Sequence, residues 1–119
     1  MSSILRSAAS EDERRQVERK PLRVRVRMTL AGKPDMEVRA VDVSTAGMSL
    51  VVDVNLPPAT SCNLTFLLPL PDGGMHPVQV AAVIAHCTYS GQRMGFVIGL
   101  QFKGASEDLK AALLRYMKG

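Results

Sequence analysis

Apolar and polar side chains alternate without interruption from residue 22 to residue 30. Successive side chains of a β-strand point to opposite faces, so this period of two predicts a strand with one buried face. The buried face carries Leu22, Val24, Val26, Met28 and Leu30, and the opposite face carries Arg23, Arg25, Arg27 and Thr29. We expect these arginines to form a charged, solvated sheet face, with the binding of an anion as the alternative.

Five further strand-like segments follow this one, at residues 36–42, 47–53, 62–70, 77–86 and 94–102. Turn-forming residues separate them, most clearly at 31–35, at Pro-Asp-Gly-Gly in 71–74 and at Ser-Gly-Gln in 90–92. The first two strands should pair as a hairpin. In the last strand we expect one face to carry Met94, Phe96, Ile98, Leu100 and Phe102.

The hydrophobic period changes after Ser106, which is a favourable helix N-cap followed by Glu107 and Asp108. An apolar stripe at helical spacing then joins Leu109, Ala112, Leu113, Tyr116 and Met117. Six short strands followed by one helix predict a mainly β fold, a small antiparallel six-stranded β-barrel with a C-terminal α-helix. Closure of the barrel would remove the exposed strand edges.

The 119-residue length fits a single domain, which we place at residues 13–119. Residues 1–12 are rich in Ser and Ala without periodicity, so we expect a disordered N-terminal tail. Residues 13–20 are densely charged, with Val17 as their one apolar residue, which predicts a flexible N-terminal arm. No signal peptide or apolar run of about 18 residues occurs, so a cytoplasmic location with reduced Cys62 and Cys87 is expected.

The residue types that usually carry catalysis or bind metals form no recognisable group in this sequence. His76 and His86 are its two histidines, and neither has another ligand at metal-binding spacing. Ser44 has no obvious histidine base that would activate it as a nucleophile. We therefore predict that the protein is not an enzyme and holds no metal or other cofactor.

The formal net charge of +4 is concentrated near the start of the chain. Residues 14–27 contain six arginines and one lysine against Glu18 alone. A cluster of this kind predicts an anionic partner: a phosphate compound, a nucleic acid or an acidic lipid surface.

Between two of the predicted strands lies a short polar stretch, Asp-Val-Ser-Thr-Ala-Gly, at residues 42–47. The short side chains of Asp42 and Ser44 can hydrogen-bond nearby backbone and hold a tight bend. Gly47 would permit a positive φ or allow a ligand to approach the main chain. These features predict a rigid corner that presents polar groups at one place.

Two short motifs resemble those of PilZ domains. Residues 13–21, Glu-Arg-Arg-Gln-Val-Glu-Arg-Lys-Pro, are similar to the family's Arg-x-x-x-Arg segment, with Arg15 and Arg19 as the pair. The corner matches the family's Asp/Asn-x-Ser-x-x-Gly motif, and one hairpin separates the two motifs, as in the family. Arg19 with Arg23, and Arg23 with Arg27, also satisfy the first motif. We favour Arg15 and Arg19 because the alternation assigns Arg23 and Arg27 to a sheet face.

PilZ domains are receptors for the bacterial second messenger cyclic di-GMP, a ring with two phosphates and two guanines. The resemblance implies that the arginines pair with phosphate or stack on guanine, and that the aspartate accepts hydrogen bonds from guanine. It implies also that the serine bonds guanine or phosphate and that the glycine keeps the approach open. The residues so implied are Arg14 as a further stacking contact, Arg15, Arg19, Asp42, Ser44 and Gly47.

The charged arm and the polar corner suggest to us a switch without catalysis, in which cyclic di-GMP bridges a mobile arm to the corner and orders it. The ordered arm would change the surface shown to a downstream effector protein. One alternative is a PilZ-like adaptor that binds no nucleotide. Another is a small basic barrel that binds nucleic acid, although only 4% of the residues are aromatic and could stack on bases. An acidic membrane surface is the third, but no basic amphipathic helix supports it.

Overall fold

The computed structural model of the protein describes residues 18–119. In that range the chain forms seven strands and one helix. Their bounds are β1 (Lys20–Pro21), β2 (Arg25–Thr29), β3 (Met36–Val43), β4 (Gly47–Val52), β5 (Ser61–Pro69), β6 (Met75–Ser90), β7 (Gly95–Lys103) and α1 (Glu107–Lys118).

The strands form one antiparallel sheet in the order β1, β3, β2, β5, β6, β7, β4. β3 also pairs with β4, and this pairing closes β2 to β7 into a six-stranded barrel. β1 is a short extra strand on the carboxyl end of β3, where Lys20 lies opposite Val43 and Pro21 opposite Asp42. The predicted barrel with a C-terminal helix is confirmed, and β1 is an addition to it.

Aliphatic side chains fill the inside of the barrel in one continuous core. β2 alternates as its sequence predicts, because Val26 and Met28 are fully buried while Arg25 and Arg27 are exposed. β5 alternates in the same way along its whole length. Since every second side chain satisfies the core, the outward positions of these strands are free to carry charge.

The C-terminal helix begins and ends with favourable capping. The Ser106 hydroxyl accepts a hydrogen bond from the Leu109 N–H at 3.1 Å, and Glu107 and Asp108 occupy the first turn. Leu109 and Leu113 are buried in the core with Ala112 between them. The helical stripe predicted from the spacing therefore faces the barrel, as expected.

The bounds of all six predicted strands differ from the prediction, most of them by a single residue, and β2 begins at Arg25 rather than at residue 22. β6 runs from Met75 to Ser90, well beyond the predicted 77–86, and carries a register shift between Ile84 and His86. Met94 was expected on the inner face of the last strand, but it is 84% exposed and lies in the turn before β7 with φ of 56°. Met94 continues the apolar alternation only by coincidence. It belongs to the tight hairpin connection, which demands a left-handed residue at this position.

The first part of the chain was expected to contain a tail and an arm. The tail predicted at 1–12, and residues 13–17 of the arm, lie outside the described residues. The arm was predicted to extend to Lys20, but Lys20 is half-buried and begins β1. Its side chain donates hydrogen bonds to carbonyl groups at the end of α1, which fixes this residue against the barrel.

Candidate ligand-binding cleft

A cleft of about 900 Å³ lies on the outside of the barrel, beside β1 and the start of β2. Small-molecule sites occupy roughly 300–1,000 Å³, so its size suits a ligand of nucleotide dimensions. The arginines that line it are Arg19, Arg23, Arg25, Arg39 and Arg93. Among residues 18–119, Asp42 is the carboxylate that lines it with them. The cleft is therefore strongly positive and suited to an anion.

Arg19 and Asp42 form an ion pair at this cleft. The Arg19 Nη1 donates to the Asp42 Oδ1 at 2.9 Å and to the Ser49 Oγ at 3.2 Å. β1 brings them together, because its register places Pro21 opposite Asp42. The side chains are 46% and 26% exposed, and such surface pairs contribute only about 0.2–1 kcal/mol. The pair can therefore open at little cost when a better partner arrives.

Ser44 holds the bend between β3 and β4 from inside. Its side chain is 1% exposed, and its hydroxyl accepts hydrogen bonds from the N–H groups of Ala46 and Gly47, both at 3.1 Å. The same hydroxyl donates to the Gly47 carbonyl at 3.3 Å, and the Ser44 N–H donates to that carbonyl at 2.8 Å. The structure thus shows Ser44 bound to backbone, fixing the corner on which Asp42 stands.

Gly47 is a glycine because two strands approach each other closely at this point. It is buried at the start of β4, and a Cβ atom there would collide with the Leu100 carbonyl oxygen of β7. Its φ does not lie in the left-handed region, so the positive φ considered for it is not found. The close contact that it permits is between strands.

A set of hydrogen bonds ties β1 to the end of α1. The Lys20 Nζ donates to the carbonyls of Tyr116 at 2.9 Å and Gly119 at 2.6 Å, and it lies 4.8 Å from the centroid of the Tyr116 ring. The Tyr116 hydroxyl donates to the Pro21 carbonyl at 2.6 Å. Burial raises the pKa of Tyr116, so the phenol stays protonated and able to donate at neutral pH. We call these contacts the β1–α1 clasp; they hold the residue next to Arg19.

The structure brings together some of the predicted site residues and adds others. Arg19 and Asp42 meet, and Ser44 and Gly47 shape the corner beside them. Arg14 and Arg15 lie outside the described residues. Arg23, assigned to a solvated sheet face, is exposed as expected but also lines the cleft.

Sequence reasoning missed two arginines of the cleft. Arg39 is an outward residue of β3, and its alternation with buried Val38 and Ala40 could have indicated an exposed position. Arg93 stands in the turn between β6 and β7, where no periodic signal marks it. Their presence at the cleft follows from the pairing of distant strands.

Residues 13–119 match the family model described as the PilZ domain. This chain belongs to the PilZ domain family. The comparison with curated proteins finds no match.

Solved structures of other PilZ-domain proteins share the fold. The Bacillus subtilis inhibitor of motility MotI/DgrA superposes with a TM-score of 0.73 at 16% identity, over 87% of this chain and 49% of that one. This PilZ domain thus spans about half of the Bacillus subtilis chain. The PilZ domain of Escherichia coli YcgR with c-di-GMP gives 0.62 at 16% identity, over 88% and 90% of the two chains. The K. pneumonia MrkH–c-di-GMP complex gives 0.67 at 15% identity, over 87% and 50%.

Within 18–119, no group of three or more His, Cys, Asp or Glu side chains is placed to hold a metal ion. In the same part of the chain, no helix has the length and apolar character needed to cross a bilayer.

Proposed function

We propose that this PilZ domain is a non-catalytic receptor for cyclic di-GMP, and that the ligand binds in the arginine-lined cleft. The observation that carries the proposal is the half-exposed Arg19–Asp42 ion pair at a positive cleft of ligand size. Family membership and neighbours solved with c-di-GMP support the same ligand.

The chemistry of the pair matches the two kinds of group in the ligand. A guanidinium group binds phosphate through two parallel hydrogen bonds or stacks on a purine, and Arg19 can do either once it leaves Asp42. The freed Asp42 carboxylate can accept hydrogen bonds from guanine N–H groups. One ligand would thus replace a weak surface ion pair with two charge-assisted interactions.

The remaining residues of the two motifs take different roles in this proposal. Arg14 and Arg15 would bring further guanidinium groups to the ligand from the arm. Ser44 and Gly47 support the shape of the corner and do not contact the ligand. The Ser44 hydroxyl is already hydrogen-bonded to backbone, and Gly47 packs against β7. Their substitution would weaken binding by moving Asp42.

The output in this proposal is a change in the N-terminal arm. Ligand that bridges the arm and the corner would order the arm and alter the surface offered to an effector protein. The β1–α1 clasp supports such a route, since Lys20, the residue after Arg19, is hydrogen-bonded to the end of the C-terminal helix. The free thiols of Cys62 and Cys87 fit the cytoplasm, where we place this receptor.

Calorimetric titration with cyclic di-GMP tests the proposal. Arg19→Ala and Asp42→Ala each remove a charge-assisted hydrogen bond of about 1.5–3 kcal/mol, so each should weaken binding roughly tenfold or more. Arg27→Ala is the matched control, because Arg27 is an exposed arginine of β2 that does not line the cleft. Wild-type protein that binds no cyclic di-GMP at tens of micromolar would overturn the proposal.

A parallel titration with long oligonucleotides at two salt concentrations separates the nucleic-acid alternative. A basic barrel that recognises nucleic acid should bind long oligonucleotides with an affinity that falls steeply with salt, and should ignore cyclic dinucleotides. A cyclic di-GMP receptor should show the opposite preference.

A further inference from the structure

Three arginines of the cleft have no carboxylate partner among residues 18–119: Arg23, Arg39 and Arg93. Arg25, which also lines the cleft, is paired with Glu37, and Arg115 is paired with Asp72. Arg27 lies in a separate depression together with Asp35 and Glu37. Apart from Arg27, the arginines of this range without an ion pair are thus gathered in the same cleft that holds Arg19 and Asp42.

Arg39 is placed where folding alone would not favour a positive charge. The pairing of β2 with β3 puts it directly opposite Arg25. Like charges opposite each other on antiparallel strands repel and destabilise the pair. Arg25 has Glu37 at 3.3 Å to compensate its charge, whereas no carboxylate of the described residues lies within ion-pairing distance of Arg39. An arrangement of this kind is relieved when an anion binds.

Arg93 is presented by a structured turn at the end of the long β6–β7 hairpin. Its N–H donates to the Ser90 Oγ at 3.3 Å, and the Met94 N–H donates to the Gly91 carbonyl at 3.2 Å. Below the turn, the rings of Tyr89 and Phe96 pack edge to face with centroids 5.5 Å apart. The turn can therefore hold a guanidinium group at the cleft without first being ordered by ligand.

The strand register places β4, which contributes an apolar side chain to the cleft, between the strand of Arg39 and the strand that follows Arg93. Arg39 on β3 lies opposite Val51 on β4, and Val51 lies opposite Val97 on β7. Val51 is half-buried and lines the cleft. Arg93 stands four residues before Val97, at the turn that leads into β7. A planar base could rest on Val51 with a guanidinium group at each side.

We propose that Arg39 and Arg93 form a second anion-binding pair, which holds the part of cyclic di-GMP that Arg19 and Asp42 do not reach. This inference rests on the proposed function and extends it to residues outside both sequence motifs. The ligand carries two phosphates, and a cleft with two separated arginine groups can bind both at once. The β6–β7 turn is then a recognition loop that determines affinity.

The test is a cyclic di-GMP titration of Arg39→Gln, Arg93→Gln and the double variant. Glutamine keeps a polar group and removes the charge, on a side chain shorter than that of arginine. Each single substitution should weaken binding about tenfold, and the double variant should weaken it further. Arg27→Gln is the matched control and should bind like wild type, while Arg19→Ala reports independently on the proposed function.

Thermal unfolding shows whether the variants fold. Arg39→Gln should unfold no earlier than wild type, because it removes the repulsion from Arg25. A variant that is stable and binds weakly supports a direct contact with ligand.

The outcomes separate the two proposals. If Arg19→Ala weakens binding but Arg39→Gln and Arg93→Gln bind like wild type, the second pair is overturned and the receptor remains. If Arg27→Gln weakens binding as much as Arg39→Gln and Arg93→Gln do, the loss of affinity comes from the lower overall positive charge. The specific pair is then overturned as well. If wild-type protein does not bind at all, both proposals fall.

Discussion

Arg19 and Lys20 are adjacent in this PilZ domain, but their side chains bind different parts of the molecule. Arg19 turns to Asp42 and Ser49 in the cleft, while Lys20 turns to the end of the C-terminal helix. Opposite orientation of neighbours is the ordinary geometry of an extended chain. Here it means that the residue offered to ligand is anchored through the one that follows it.

Gly47→Ala tests the role of the glycine at the corner. A methyl group would meet the Leu100 carbonyl of β7, and such overpacking usually lowers the free energy of unfolding by about 1–3 kcal/mol. Gly91→Ala is the matched control, because the nearest atom to its added methyl would be the Tyr89 ring at 3.9 Å. Urea unfolding of both variants measures the difference. Equal stability of the two would show that β4 and β7 are not closely packed at Gly47.

The two thiols should react at very different rates. Cys62 is 4% exposed, and burial raises its pKa to about 11, so almost no thiolate is present at pH 8. Cys87 is only half-buried. Labelling of the folded protein with a maleimide at pH 8 should therefore modify Cys87 alone, and Cys62 should react only after denaturant is added. Peptide mapping by mass spectrometry identifies the labelled site, and rapid labelling of folded Cys62 would contradict its burial.

At the scale of elements, β1 depends on α1. It is only two residues long and pairs with β3 alone, so the β1–α1 clasp supplies much of its attachment. The clasp uses a lysine against the carbonyls at a helix C-terminus, where a positive charge is favourable. The position of Arg19 therefore depends on the C-terminal helix, to which the neighbouring Lys20 is bound.

Tyr116→Phe should loosen β1 without unfolding the barrel. The substitution removes the hydrogen bond from the tyrosine hydroxyl to the Pro21 carbonyl, a contribution of about 1 kcal/mol. Hydrogen exchange of the Leu22 N–H, which donates to the Val41 carbonyl, should become faster. The N–H groups of β5 serve as the internal control and should keep their protection. Unchanged exchange at Leu22 would show that the clasp does not hold β1.

Elements were predictable from the sequence where the pattern is local. Periods of two and of 3.6 residues located six strands and α1, and the Asp-Gly-Gly turn at 72–74 formed as expected. Met94 was misplaced because alternation cannot distinguish the last turn residue from the first strand residue. Arg39 and Arg93 were missed because their proximity depends on register between distant strands, which the local pattern does not encode.

At the scale of the whole molecule, the site lies at the seam that closes the barrel. The pairing of β3 with β4 completes the six-stranded ring, and the corner between them carries Asp42. The same hydrogen bonds of Ser44 therefore serve the fold and the site. Substitutions at the corner should lower stability and ligand affinity together, whereas substitutions of the outward arginines that line the cleft should lower affinity without loss of stability.

The position of the bound ligand is measured most directly by NMR. In a titration of labelled wild-type protein with cyclic di-GMP, the largest amide shift changes should fall at residues 19–25, 39–42 and 92–93 around the cleft. The β5–β6 turn at 71–74 does not line the cleft and should change little. Changes centred on that turn, or a spectrum that does not respond to ligand, would contradict a receptor site built on Arg19 and Asp42.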